Sequence, residues 1–296
     1  MSRVVRDYQV GGFPFRVRAD AALLDGMENL APFEIPGQAR NDDEFLFTLE
    51  QGPDLARSGE PPVFCTEDGP ECPEMAIFEL AERYLFRVRP LPCRPVAVWM
   101  EVDHGFSQAR FFLSGTDNAF GLNSALLIML AFGMAVPGAL EIQASVVMYE
   151  GKGYLFLGSD GTGRSSHSRL WLENLPGAEL LNDDYPILRV MPDGSARVYG
   201  TPWSGKTPCF KPVSVPVGAV VRLSLDPRNS ISRLSRAKAF DTLMVAAAPY
   251  RPFPPQAAGL HRTLRQLAET VPCYSFRGLP SVSAVHFCRQ AVCEDP

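Results

Sequence analysis

Gly158, Ser159, Asp160, Gly161, Thr162, Gly163, Arg164 and Ser165 follow the phosphate-loop pattern G-x-x-x-x-G-K-[ST] at every position but one. Phosphate oxygens need several N–H donors at close range. Glycines let the backbone curl so that successive N–H groups point inward. A helix that starts at the loop adds the positive end of its dipole, and a Ser165 hydroxyl in that place suits Mg²⁺. The departure is Arg164, which stands where the pattern has lysine. A planar guanidinium does not replace a compact ammonium between the β- and γ-phosphates. The plain alternative is a Gly/Ser turn with no ligand. Ser166 and His167 continue the run, and His167, two residues past Ser165, falls on the first turn of the expected helix, where it could face a bound phosphate.

Two further segments carry candidate chemistry. Asp183 and Asp184 stand side by side after a strand-like run. Transfer of a phosphoryl group to a hydroxyl needs a Mg²⁺ ligand and a group that accepts the hydroxyl proton, and adjacent carboxylates divide those tasks. Taken alone, Asn182-Asp183-Asp184 reads as a solvated turn. Gly200-Thr-Pro-Trp203-Ser204-Gly205-Lys206 reads as a rigid loop with one cation. Lys206 could reach a phosphate and partly replace the charge displaced at Arg164, while Trp203 reads as a packing residue.

The elements that must position these residues follow from patterning. Ile142–Tyr149 and Gly153–Leu157 read as two strands joined by the tight turn Glu150-Gly151-Lys152. The second strand runs into the glycine loop, and a helix follows at about 164–174. Shorter strands are expected at 178–182, 186–190, 196–200 and 219–225, helices at 233–248 and 255–270, then a strand Cys273–Phe276 and a helix near 281–291. Before residue 138 the chain reads as mostly antiparallel β: a hairpin or two in 1–34, then strand-like runs at 45–49, 74–79, 84–88, 96–102 and 109–113. A helix over 118–136, capped by Asp117, closes it. The expected division is therefore 1–138 and 139–296.

Composition bounds the rest. The chain has 296 residues, 46% hydrophobic and 21% charged, ordinary for a soluble globular protein. A formal charge of −5 and the absence of a basic run argue against nucleic acid. Seven cysteines without a C-x-x-C pair or a zinc spacing read as free thiols in a reducing compartment. The N-terminal residues lack the apolar core of a signal peptide, so the expected location is cytoplasmic. Residues 118–140 carry no charge and are long enough to cross a bilayer. Polar first turns, Pro137 and missing flanking anchors favour a buried helix.

The loop, the paired aspartates and the Tyr199–Lys206 segment together resemble the HPr-kinase-like branch of the HPr kinase/phosphoenolpyruvate carboxykinase superfamily, most strongly over residues 138–225. The resemblance implies an α/β P-loop kinase domain with a mixed sheet, ATP and Mg²⁺, and phosphorylation of a serine hydroxyl. It implies that Gly158, Gly161 and Gly163 cradle phosphate, that Ser165 and Asp184 hold Mg²⁺, and that Asp183 is the base. By analogy it implies self-association. Three departures stand out. Arg164 replaces the loop lysine, Gln143 stands where HPr kinases usually carry a histidine, and Trp203-Ser204-Gly205-Lys206 replaces their signature stretch after the aspartates. The first expectation is thus a kinase acting on a peptide, small protein or small metabolite. The second is a nucleotide-binding regulatory protein derived from one, and the third is a simple anion-binding module.

Overall fold

The computed structural model describes residues 2–36, 41–54, 59, 61–66, 69, 71–115, 117–159, 161–205, 207–247 and 253–294. The chain divides into two compact units, Met1–Met134 and Ala135–Pro296, each built on its own mixed sheet.

The first unit contains β1 (Arg3–Val10), β2 (Phe13–Asp20), α1 (Ala21–Asp25), β3 (Thr48–Gln51), β4 (Phe64–Cys65), β5 (Glu74–Glu79), β6 (Arg83–Arg89), β7 (Val98–Asp103), β8 (Gln108–Leu113) and α2 (Asn118–Gly133). The sheet order is β1-β2-β3-β8-β7-β6-β5-β4. The expectation of a mostly antiparallel region needs one correction. β3 pairs in parallel with both β2 and β8, so the sheet is mixed at its centre. A long connection that includes α1 separates β2 from β3, as a parallel pairing requires. Only one hairpin forms in 1–34, β1–β2 turning at Gly11-Gly12, and α1 takes the place of a second.

Asp117 caps α2, its carboxylate accepting the Phe120 N–H at 3.1 Å. The helix is buried on most of its surface, as an uncharged and mostly apolar sequence requires. Gly121 lets it approach the sheet: a Cβ there would lie 2.7 Å from Leu113 and 3.1 Å from the Ala97 carbonyl oxygen. Among the described residues, no helix is long and apolar enough to cross a membrane.

The second unit contains β9 (Ala139–Glu141), β10 (Ala144–Tyr149), β11 (Lys152–Leu157), α3 (Arg164–Asn174), β12 (Glu179–Asp184), β13 (Ile187–Val190), β14 (Ala196–Tyr199), β15 (Ser214–Ser224), β16 (Ser230–Arg233), α4 (Arg236–Ala246), α5 (Pro254–Thr270), β17 (Cys273–Arg277) and α6 (Val282–Glu294). One branch of its sheet runs β12-β10-β11-β15-β17-β16 and the other β9-β13-β14-β15. The eleven-residue β15 belongs to both. Its first residues pair with β14 and its later ones with β11 and β17, so the sheet curls along it. Inside the curl, Leu140, Leu188 and Val198 meet Val146, Leu155 and Leu157 under α4 and α5. On the other face Phe156, Val221 and Tyr274 pack beneath α3 and α6 around the fully buried Trp171. Full burial of such aromatic side chains stabilises by about 2–3 kcal/mol each.

Candidate functional site

β11 is apolar on both faces, since Leu155 and Leu157 enter one core and Tyr154 and Phe156 the other. It therefore sits at the centre of the sheet, and its carboxyl end delivers the chain to Gly158. A Cβ on Gly158 would collide with the Thr162 hydroxyl and lie 3.2 Å from the Leu223 carbonyl oxygen, so only glycine fits there. Gly161 and Gly163 have φ of 82° and 89°, in the left-handed region. Thr162 fastens the loop on itself, its N–H and hydroxyl both donating to the Ser159 carbonyl, at 3.1 and 2.7 Å. The first rung of α3 is His167 N–H to the Gly163 carbonyl at 2.8 Å. The N–H groups of Arg164, Ser165 and Ser166 precede that rung and belong to the helix's positive end.

The aspartates come to this loop through register. β10 is antiparallel to both β11 and β12, so β11 and β12 run the same way and end at the same edge. Ser145 lies opposite Phe156 on one side and opposite Asp183 on the other, while Ala144 lies opposite Asp184. Two strand spacings, about 10 Å, therefore separate the Asp183 and Phe156 backbones. Directly paired residues share a face, so Asp183, Ser145 and Phe156 all face α3. A bulge decides this. Leu180 pairs with Val147 but Asn182 with Val146, leaving Leu181 as an extra residue. Without it, Asn182 would lie opposite Ser145 and Asp183 would turn to the other face.

Asn182-Asp183-Asp184 is thus strand, and the reading as a solvated turn falls away. Asn182 is fully buried and Asp183 is 8% exposed. The Asn182 amide donates to the Thr201 hydroxyl at 3.0 Å and the Trp203 carbonyl at 2.9 Å, and its oxygen accepts the Asp184 N–H at 3.0 Å. Thr201 in turn donates to the Tyr185 carbonyl at 2.8 Å. Gly205 N–H reaches the Asp183 carbonyl at 3.2 Å, and a Cβ on Gly205 would lie 2.7 Å from that oxygen. The 200–205 segment therefore holds the end of β12 in place. Trp203 is half-buried in it. Lys206 and Asp160 lie outside the described residues.

Gly161, Gly163, Arg164, Ser165, Ser166, Asp183 and Asp184 line one cleft of about 910 Å³, together with Ser159, Gln143, Ser168 and Arg169. Asp183 Oδ1, Ser168 Oγ and the neighbouring Ser145 Oγ are buried and have no hydrogen-bond partner among the described residues. Buried polar atoms are almost always satisfied, so a group of such atoms at one place needs a ligand, an ion or water. The donor set fits Mg²⁺-nucleotide on that test. Hydroxyl and carboxylate oxygens are hard ligands, and Mg²⁺ is commonly held by one or two carboxylates plus phosphates and waters. Among the described residues no three His, Cys, Asp or Glu side chains cluster as an all-protein metal cage.

A second cleft, of about 890 Å³, lies on the other side of the loop. It shares Gln143 and Ser159 with the first and adds Gly158 and Thr162. Its further walls come from Leu157 and Arg222 on adjacent strands, Ser275 on β17, and Lys238, Thr242 and Val245 on α4. Sequence patterning did not single these residues out, since they are scattered from Leu157 to Ser275 without a motif.

His167 needs correction as a phosphate-facing residue. It is 2% exposed and lines neither cleft. Its Nε2 accepts the Trp171 indole N–H at 3.1 Å, and Phe156 meets its ring edge-to-face at 4.7 Å. Burial pushes its pKa down to about 4. A helix places position 167 a half-turn or so from 165, so the ring turns inward as Ser165 turns out.

No family model matches the chain, and no curated protein matches it. Among solved structures it has a distant similarity to the Hpr(Ser) kinase/phosphatase from Coxiella burnetii. That match covers 52% of this chain and 94% of that one, at 10% sequence identity and a TM-score of 0.28. A likeness at that distance carries no argument about this chain's chemistry.

Proposed function

We propose that this chain is an ATP- and Mg²⁺-dependent phosphotransferase acting on a serine-type hydroxyl of a peptide, small protein or small metabolite. The observation that carries the reading is Asp183: a buried carboxylate with one oxygen unpartnered among the described residues, in the same cleft as the glycine loop and the N-terminus of α3. Gly158, Gly161 and Gly163 let the loop N–H groups turn toward phosphate, and Ser165 and Asp184 would be the oxygen donors that hold Mg²⁺. Mg²⁺ supplies charge neutralisation on the phosphates when bound. Asp183 accepts the proton of the acceptor hydroxyl, a role that suits a carboxylate fixed by its strand. Arg164, and Lys206 if it reaches the cleft, supply positive charge toward the transferred group.

The test is Mg²⁺-dependent transfer of the γ-phosphate to serine-containing peptides, proteins or metabolites. Asp183→Asn is expected to lower turnover by about 10²–10⁴-fold while MgATP still binds. Transfer that survives this substitution undiminished would overturn the assignment of the base.

A second reading is favoured by one residue. Arg164, half-buried at the first position of α3, lines the cleft where a lysine would serve γ-phosphate. In this reading the chain binds nucleotide without turnover and acts as a regulatory protein. ATP binding without transfer in the wild type, and transfer gained on Arg164→Lys, is the outcome that selects it.

A further inference from the structure

The proposed base, Asp183, lines the first cleft and not the second, which meets the loop from the other side. Phosphoryl transfer places the attacking and leaving oxygens in line, on opposite sides of the phosphorus. An acceptor hydroxyl that meets Asp183 therefore enters through the first cleft. The leaving diphosphate, with whatever is attached to it, extends away from that cleft. The loop residue Ser159 and the neighbouring Gln143 form the wall common to both, so the phosphates would lie at this wall and the rest of the nucleotide beyond it.

We propose that the second cleft, between the carboxyl ends of β11, β15 and β17 and helix α4, holds the base and ribose of a purine-type nucleotide, while the phosphates lie along the loop and the acceptor enters through the first cleft. This rests on the phosphotransferase reading above. The composition of the cleft supports it. Leu157, Leu223, Leu234 and Val245 give apolar walls, and Thr242 places a hydroxyl-bearing side chain among them. Apolar walls with a few convergent polar groups are the usual lining of a small-molecule site. Arg222 lies opposite Leu157 in the parallel β11–β15 register, at the exit into the loop. A guanidinium there can stack on a base or meet an α-phosphate. The volume of about 890 Å³ lies within the range of ligand pockets. Val245 is 87% exposed, so the site is open on the α4 side and can be probed without disturbing the core.

The experiment compares MgATP with magnesium triphosphate on the full chain, and maps 8-azido-ATP labelling by peptide mass spectrometry. The expected result is azide labelling within 230–246, competed by ATP. Val245→Trp, which fills the cleft mouth, is expected to weaken MgATP about tenfold or more while triphosphate affinity stays within about twofold, a difference of at least one decade in the affinity ratio. Labelling confined to 164–185, with Val245→Trp leaving MgATP binding unchanged, would overturn the assignment of the second cleft and leave the nucleotide reading standing. Failure of wild type to bind either MgATP or triphosphate would overturn both.

Discussion

A buried carboxylate oxygen with no partner costs stability, and among the described residues Asp183 has none for its Oδ1 in the cleft beside α3. Asp183→Asn is accordingly expected to leave thermal stability unchanged or raise it by about 1 kcal/mol even as turnover falls, a trade common at functional positions. Parallel melting and transfer assays check this, and a large loss of stability would mean that Asp183 is a structural residue. His167 gives the opposite kind of prediction. Its folded pKa of about 4 lies below its ordinary value of 6.5, so between those values the unfolded chain binds more protons. The stability contributed by the neutral ring is full above about pH 6.5 and is lost as pH falls toward 4, up to roughly 3 kcal/mol. Denaturant midpoints measured across that range should flatten in His167→Gln. An unchanged slope would place the effect elsewhere. Sequence spacing put His167 near the loop correctly, but it could not show which way the ring turns. That is decided by Trp171, Phe156 and Phe276, which come from three separate segments.

The elements around the loop were readable because each carries local chemistry. Two short apolar runs on either side of a tight turn mark β10 and β11, and the helix after the loop spans Arg164–Asn174. The turn between the strands has Glu150 at φ 49° and Gly151 at φ 75°, the primed geometry that suits a two-residue hairpin. Glutamate is strained there, so Glu150→Asn is expected to raise stability by a few tenths to about 1 kcal/mol in chemical denaturation. The bulge at Leu181 was not readable. It depends on β10 as a partner and on the 200–205 segment that grips Asn182. Asn182→Ala removes two buried donor bonds and leaves a small void, and should cost about 2–4 kcal/mol in the same measurement. A cost below about 0.5 kcal/mol would show that the end of β12 is held some other way. β16, Ser230–Arg233, was missed because its polar, short run gains strand character only from pairing with β17.

The fold of each unit was legible to different depths. In the second, the family resemblance implied an α/β domain with a mixed sheet, and a mixed sheet is what forms. In the first, local patterning identifies strands but not their partners, so the parallel pairings of β3 escaped it. The two clefts are likewise products of tertiary structure. Their shared wall, Ser159 and Gln143, joins residues from separate segments of the chain. Nucleotide binding is the claim on which the rest depends. It is tested most directly by titrating MgATP calorimetrically into the wild type and into the Ser165→Ala/Asp184→Asn double variant. The account predicts Mg²⁺-dependent binding to the wild type and its loss in the variant. No binding to the wild type, or binding that ignores both Mg²⁺ and the two substitutions, would contradict it.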